Sequence, residues 1–112
     1  GVTAKYLSPV PLKFRQWDGY QPPPEFREFP NQWHVEAATQ SPQASLGMLT
    51  VLVPHRAGQQ PKWTAERLES DTAIGVRFVR EGKPVIVALR KDGAQGQASV
   101  AGLSFDGAVA VK

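Results

Sequence analysis

Cysteine is absent from this sequence. Neither a disulfide nor a thiolate metal site can contribute, and the redox compartment stays open, because secreted domains also do without cysteine. Missing too is any apolar run near the roughly 18–20 residues that cross a bilayer as a helix, so no membrane partner is expected. The opening GVTAKYLSPVP has no apolar stretch behind a basic end and is not expected to act as a signal peptide. It also lacks an initiator methionine, which predicts a piece excised from a longer protein. Histidine is scarce. Neither His34 nor His55 has an H-x-x-H partner or a carboxylate at metal spacing, so no metal and no cofactor is expected. GxSxG is missing, and no glycine-rich loop precedes a helix, which removes a nucleophile elbow and a phosphate cradle. The isolated chain is therefore expected not to be catalytic.

What is present suits one globular domain. Across 112 residues, 41% are hydrophobic and 21% charged, enough apolar surface to bury a single core. The net charge is +3, but the basic residues are scattered and many sit beside acids. Scattered charge describes a solvated surface with a mild pull on anionic partners. Nucleic acid would call for a denser basic stripe, so no nucleic-acid partner is expected.

From Gln32 onward the apolar pattern has period two, the spacing of strands. In WHVEAAT, Trp33, Val35, Ala37 and Thr39 share one side, and His34, Glu36 and Ala38 the other. SPQAS supplies a turn. SLGMLTVLVP is apolar on both faces from Met48 to Val53, which predicts a strand buried on both sides, ended by Pro54. HRAGQQPK reads as a loop. TAERLESD has helical propensity, but its strand neighbours favour an edge strand. AIGVRFVRE and KPVIVALRK alternate cleanly around a turn at Gly82, and KDG turns the chain again. GQASVAGLSF then runs to Asp106-Gly107, a pair predicted to form a type I′ hairpin turn before AVAVK. Short strands with turn signals about every ten residues predict an all-β antiparallel β-sandwich over residues 32–112.

Residues 1–31 form an extended segment rich in proline and aromatics, expected to pack on that sheet. Within FRQWDGYQPPPEFREFPNQWH (residues 14–34) there are seven aromatic rings, counting His34, and four prolines. Proline prevents continuous ladder pairing, and PPP favours a stiff polyproline II stretch. A free tether would avoid so many exposed rings. Two readings remain. Either the rings are a strap that packs on the folded body, or Trp17, Tyr20 and Trp33 form a platform for sugar C–H faces. His55 and Arg56 follow the apolar strand into its exit loop, where binding residues often sit. The candidate carbohydrate-binding residues are thus Trp17, Tyr20, Trp33, His55 and Arg56.

FRQWDGYQPPP…NQWHVEA followed by ASLGMLTVLVPHRAG resembles the C-terminal region of bacterial heparinase II/III-like polysaccharide lyases. The likeness rests on Trp33, His34 and Val35, then on Met48, Leu49, Thr50, Val51, Leu52, Pro54, His55, Arg56, Ala57 and Gly58, where the family's usual aromatic before Leu49 is replaced by Met48. It covers roughly residues 12–60. It implies a bacterial, periplasmic or secreted parent enzyme with an upstream α/α toroid domain, which cleaves uronate-containing anionic polysaccharides such as glycosaminoglycans by β-elimination. In that family the Tyr and His that move the proton lie chiefly in the toroid, so no catalytic role passes to Tyr20 or His34. The resemblance implies that this chain is the non-catalytic C-terminal β-sandwich domain, a support and glycan contact. The alternative is an independent carbohydrate-binding or protein-interaction module.

Overall fold

The structure is a computed structural model that describes residues 1–19 and 33–112. The polyproline stretch, Tyr20, Phe26 and Phe29 lie outside the described residues. Among the described residues every regular element is a strand, and the chain is an all-β protein with antiparallel sheets packed as a β-sandwich. The strands are β1 (Val2–Leu7), β2 (Leu12–Asp18), β3 (Trp33–Thr39), β4 (Leu49–Pro54), β5 (Trp63–Glu69), β6 (Ala73–Arg80), β7 (Lys83–Arg90), β8 (Ala98–Val100), β9 (Leu103–Phe105) and β10 (Val109–Val111). They fall into two compact units, one of Val10–Leu46 and one of Gly1–Pro9 with Gly47–Lys112.

The larger unit is built on a four-stranded sheet of order β10-β7-β6-β5, joined by a β1-β4 pair and a β8-β9 pair. On one face of the four-stranded sheet, Ala73 and Ala88 are fully buried beneath Ala98, Val100 and Phe105 of the β8-β9 hairpin, with Leu68, Leu103 and Ala110 around them. Alanine at the centre explains how the layers come close: a methyl group holds the backbones apart by less than a branched side chain would. The opposite face carries Trp63 tilted against Phe78, ring centroids 5.5 Å apart. This pair arises from the β5-β6 register, in which Ala65 opposes Phe78 and Trp63 opposes Arg80.

TAERLE is an edge strand, and its helical propensity is overridden because Ala65 is buried in the sheet. Two other expectations are corrected. The 48–53 stretch is not buried on both faces: among the described residues β4 pairs with β1 alone, and Met48 and Leu52 are exposed while Val53 is buried. A strand with one neighbour has one side of its ladder and much of its outer face in water. Nor does Asp106-Gly107 make a type I′ turn. Both residues lie outside the left-handed region, and the chain leaves β9 there to pair β10 with β7 instead. The type I′ signature, two successive positive φ angles, occurs at Glu81-Gly82 (53° and 75°) and at Ala101-Gly102 (49° and 78°). The second of these splits the expected strand GQASVAGLSF into β8 and β9.

Side chains fasten the layers where the ladders stop. Ser70 accepts backbone N–H bonds from Thr72 and Ala73 and donates to the carbonyl of Ser99, while Ser99 N–H donates to Thr72 Oγ1. The β5-β6 turn thereby holds β8. Arg67 Nη1 donates to the Gly47 carbonyl at 2.8 Å, and its Nη2 donates to Glu69 Oε2 at 2.7 Å. Lys91 Nζ donates to the other carboxylate oxygen at 2.8 Å.

The hydrogen bond from Lys91, then that from Arg67, hold the Glu69 carboxyl below its ordinary pKa, against a smaller opposing effect of burial. A depressed folded pKa contributes stability that is present above the unfolded pKa and lost as pH falls through the folded one. Melting temperatures measured across an acid pH series should show this loss, and Glu69→Gln should flatten that part of the curve. Since Glu69 lies in solvent, the effect is small. An unchanged acid limb in the Gln variant would show that the two cations contribute nothing to folding.

The smaller unit is the β2-β3 hairpin, paired from Leu12 opposite Thr39 to Asp18 opposite Trp33.

Candidate functional site

The loop that leaves β4 has its first residue tied to β1. His55 N–H donates to the Gly1 carbonyl at 2.8 Å, and the Gly1 nitrogen donates to the His55 carbonyl at 2.7 Å. The imidazole is held on both sides. Nδ1 lies 3.0 Å from the Arg56 carbonyl and so carries a proton, while Nε2 lies 3.2 Å from Thr3 Oγ1, whose hydroxyl can donate to it. A ring used in this way orients a loop. The Gln59 N–H closes the turn on the Arg56 carbonyl at 3.1 Å.

This loop and the β6-β7 turn border an open cleft of about 710 Å³ lined by Pro54, His55, Arg56, Gln59, Gln60, Pro61, Lys62, Arg80 and Glu81. Three permanent cations stand there against one carboxylate. Arg80 Nε is 3.6 Å from Glu81 Oε1, both side chains exposed, a weak pair in water. Neither Arg56 nor Lys62 forms an ion pair among the described residues. The cleft therefore keeps an uncompensated positive field, and low-dielectric walls concentrate such a field on an anion. The guanidinium groups suit carboxylate or sulfate oxygens, the two glutamine amides suit hydroxyls, and the proline rings offer apolar walls.

His55 and Arg56 both line this cleft. Lys62 and Arg80 complete it, and neither stood out in the sequence. The signal that finds them is register: Trp63 opposes Arg80, so the last loop residue, Lys62, lies beside the start of the β6-β7 turn.

The aromatic candidates are arranged differently. Trp17 directly opposes His34 on one face of the hairpin, and the two rings stack at 5.4 Å between centroids with planes 13° apart. Arg15, on the same face, sets its guanidinium 5.0 Å from the Trp17 ring centroid. The indole of Trp17 is half-buried and spends its faces on its own neighbours. Trp33 belongs to the opposite face, beside Asp18, and is 69% exposed. Trp17 and Trp33 do not form one platform, and Tyr20 lies outside the described residues. Among the described residues there is no group of three or more His, Cys, Asp or Glu placed to hold a metal ion. Comparison with protein-family models, with curated proteins and with solved structures returns no significant match.

Proposed function

We propose that this chain is the non-catalytic C-terminal β-sandwich domain of a heparinase II/III-like polysaccharide lyase, supporting the catalytic toroid of its parent and touching the acidic glycan. The observation that carries the reading is the cleft of His55, Arg56, Lys62 and Arg80, whose charge and amides match a hydroxyl-rich anion. The resemblance around residues 12–60 supplies the enzyme class, and with it a periplasmic or secreted setting. Both histidine rings are engaged in ordering contacts, with His55 bound on two sides and His34 stacked on Trp17. Neither is arranged to take a proton from a sugar, which fits a role beside the chemistry rather than in it.

The test is a titration of the purified chain with heparin- and alginate-derived oligosaccharides, followed by NMR, with parallel absorbance readings for the unsaturated product. Amide shifts should gather on His55, Arg56, Lys62 and Arg80 and weaken as salt rises. Arg56→Ala combined with Lys62→Ala should weaken binding at least tenfold, about 1.4 kcal/mol or more, the scale of two lost charge contacts. Sustained product formation by the chain alone would overturn the non-catalytic reading. Absence of any acidic-glycan shift at these residues would remove the glycan contact.

A further inference from the structure

We infer that strand β10 is a self-pairing edge, through which two copies of this chain join their four-stranded sheets into one. The inference begins with hydrogen bonds. Ile86 N–H donates to the Lys112 carbonyl at 2.7 Å, Lys112 N–H donates to the Ile86 carbonyl at 2.9 Å, and Arg90 N–H donates to the Ala108 carbonyl at 2.8 Å. Residues 108, 110 and 112 thus turn their backbone polar groups to β7, and by alternation Val109 and Val111 turn theirs away from it. Among the described residues no strand pairs with that outer side, and neither valine makes a further hydrogen bond. Other strand edges of this unit are managed within the chain. β1 passes close to β5, where Arg67 donates to the Leu7 carbonyl. The rim of β4 carries Pro54, which has no N–H to offer.

Side chains favour the same contact. Val109 opposes Leu89 and Val111 opposes Val87 on one face of the sheet. Val109 is 54% and Val111 67% exposed, and Val85, the next residue of β7 on that face, is 37% exposed. Single exposed valines are ordinary. Here they form an apolar strip that ends at an open ladder, the combination that templates the addition of a strand.

The order of residues in DGAVAVK, 106–112, selects the occupant. Antiparallel pairing about a twofold axis at Ala110 sets Val109 of one copy opposite Val111 of the other, and each such pair exchanges two N–H to carbonyl bonds. Opposed valines then have Cβ atoms about 5 Å apart across the seam. At the axis itself the side chain is a methyl group, which leaves room for close approach. In the same register Lys112 comes opposite Ala108 of the other copy and near its Asp106. Neither Asp106 nor Lys112 forms an ion pair within its own chain among the described residues. Each copy therefore supplies one unpaired acid and one unpaired base, and the twofold brings them together twice. A parallel approach would set Lys112 beside Lys112, where like charges repel. Charge complementarity thus points to a second copy, and to the antiparallel orientation.

Analytical sedimentation of the purified protein over a dilution series tests this, with NMR of labelled protein across the same series. The seam is short, so a weak dimer that dissociates on dilution is expected. Raising the concentration should shift the Val109 and Val111 amide resonances and slow their exchange with solvent. Val111→Pro removes an N–H that β7 does not use, a place where an edge strand tolerates proline, and should weaken dimerisation at least tenfold. Lys112→Glu sets a glutamate near Asp106 of the other copy and should weaken it at least threefold, more at low salt. Adding Asp106→Lys to Lys112→Glu reverses both signs and should restore self-association, an outcome that damage to the fold would not produce. The proposal is overturned if the protein sediments as a monomer at every concentration. It is equally overturned if Val111→Pro dimerises as well as the parent, which would put the contact on another surface. Failure of the double charge reversal to recover what Lys112→Glu loses would overturn the antiparallel register.

Discussion

Replacing Arg90 by methionine should lower the melting temperature by roughly 10–15 °C, the equivalent of about 3 kcal/mol in a domain of this size. The guanidinium stands at the end of β7 and donates to five backbone carbonyls. Nη1 reaches Gly96 at 2.6 Å and Ala94 at 3.4 Å, Nη2 reaches Asp106 at 2.8 Å and Phe105 at 3.3 Å, and Nε reaches Gly107 at 3.1 Å. These carbonyls belong to two separate segments, the 91–97 loop that delivers β8 and the crossing from β9 to β10. Apart from the pairing of Phe105 with Ala98 and a few backbone bonds such as Arg90 N–H to the Ala108 carbonyl, these segments lie between ladders, and the Arg90 side chain fastens both. Each bond to a charged donor is worth about 1.5–3 kcal/mol when buried. The simple sum overshoots, because most of these carbonyls regain water once the arginine is gone.

Methionine keeps much of the volume and removes every donor, which isolates the hydrogen bonds from the packing. Arg90→Lys is the more telling variant. An ammonium retains the charge but cannot spread planar donors over acceptors on both sides, so it should recover less than half of the lost stability. Full recovery by lysine would mean that charge alone matters. A Met variant melting within 2 °C of the parent would show that the loops hold themselves. Amide exchange should accelerate at residues 94–97 and 105–108 more than in β4, since only the former depend on Arg90.

The strand layout was legible because burial imposes a period on the sequence, and it was legible where two faces differ. Ile74, Val76 and Phe78 against Gly75 and Arg77 made β6 plain. The same logic failed for Leu49–Val53, where both faces are apolar: sequence cannot say whether apolar residues on both sides mean two covers or one cover and an exposed face, and Leu52 lies in water. Turn chemistry misled at Asp106-Gly107, because a dipeptide can favour a hairpin while a longer-range pairing, β10 with β7, claims the next strand. Arg90 was invisible for a related reason. An arginine closing an apolar strand looks like any surface charge until the loops around it are known.

The candidate site divides along the same line. His55 and Arg56 are sequence neighbours and could be picked out together. Lys62 and Arg80 join them only through strand pairing, and Trp17 and Trp33 are parted by the alternation that pairing enforces. Residue type was informative; juxtaposition was not.

Gly75→Ala should destabilise the protein by about 2–3 kcal/mol, the range for forced backbone displacement in a packed core. The direction is the diagnostic part, since alanine in place of glycine inside a strand ordinarily gains about 0.5–1 kcal/mol through the unfolded chain. Gly75 sits in the central strand β6, opposite Leu68 of β5 and Ala88 of β7. A Cβ added there would lie 2.6 Å from the Val87 carbonyl oxygen and 3.3 Å from the Ala88 Cα. Both obstacles are backbone atoms, so no rotamer change relieves them. Either β6 and β7 move apart, loosening the layer that buries Ala73 and Ala88, or the ladder bends. Gly107→Ala is the control, because its nearest neighbour would be the Val109 carbonyl oxygen at 3.7 Å, an ordinary contact. That variant should melt close to the parent. Ala88→Gly should fail to rescue Gly75→Ala, because the clashing carbonyl of Val87 is still there. Strong rescue would locate the clash in the Ala88 methyl group instead, and a neutral Gly75→Ala would mean that β6 and β7 lie farther apart at this point.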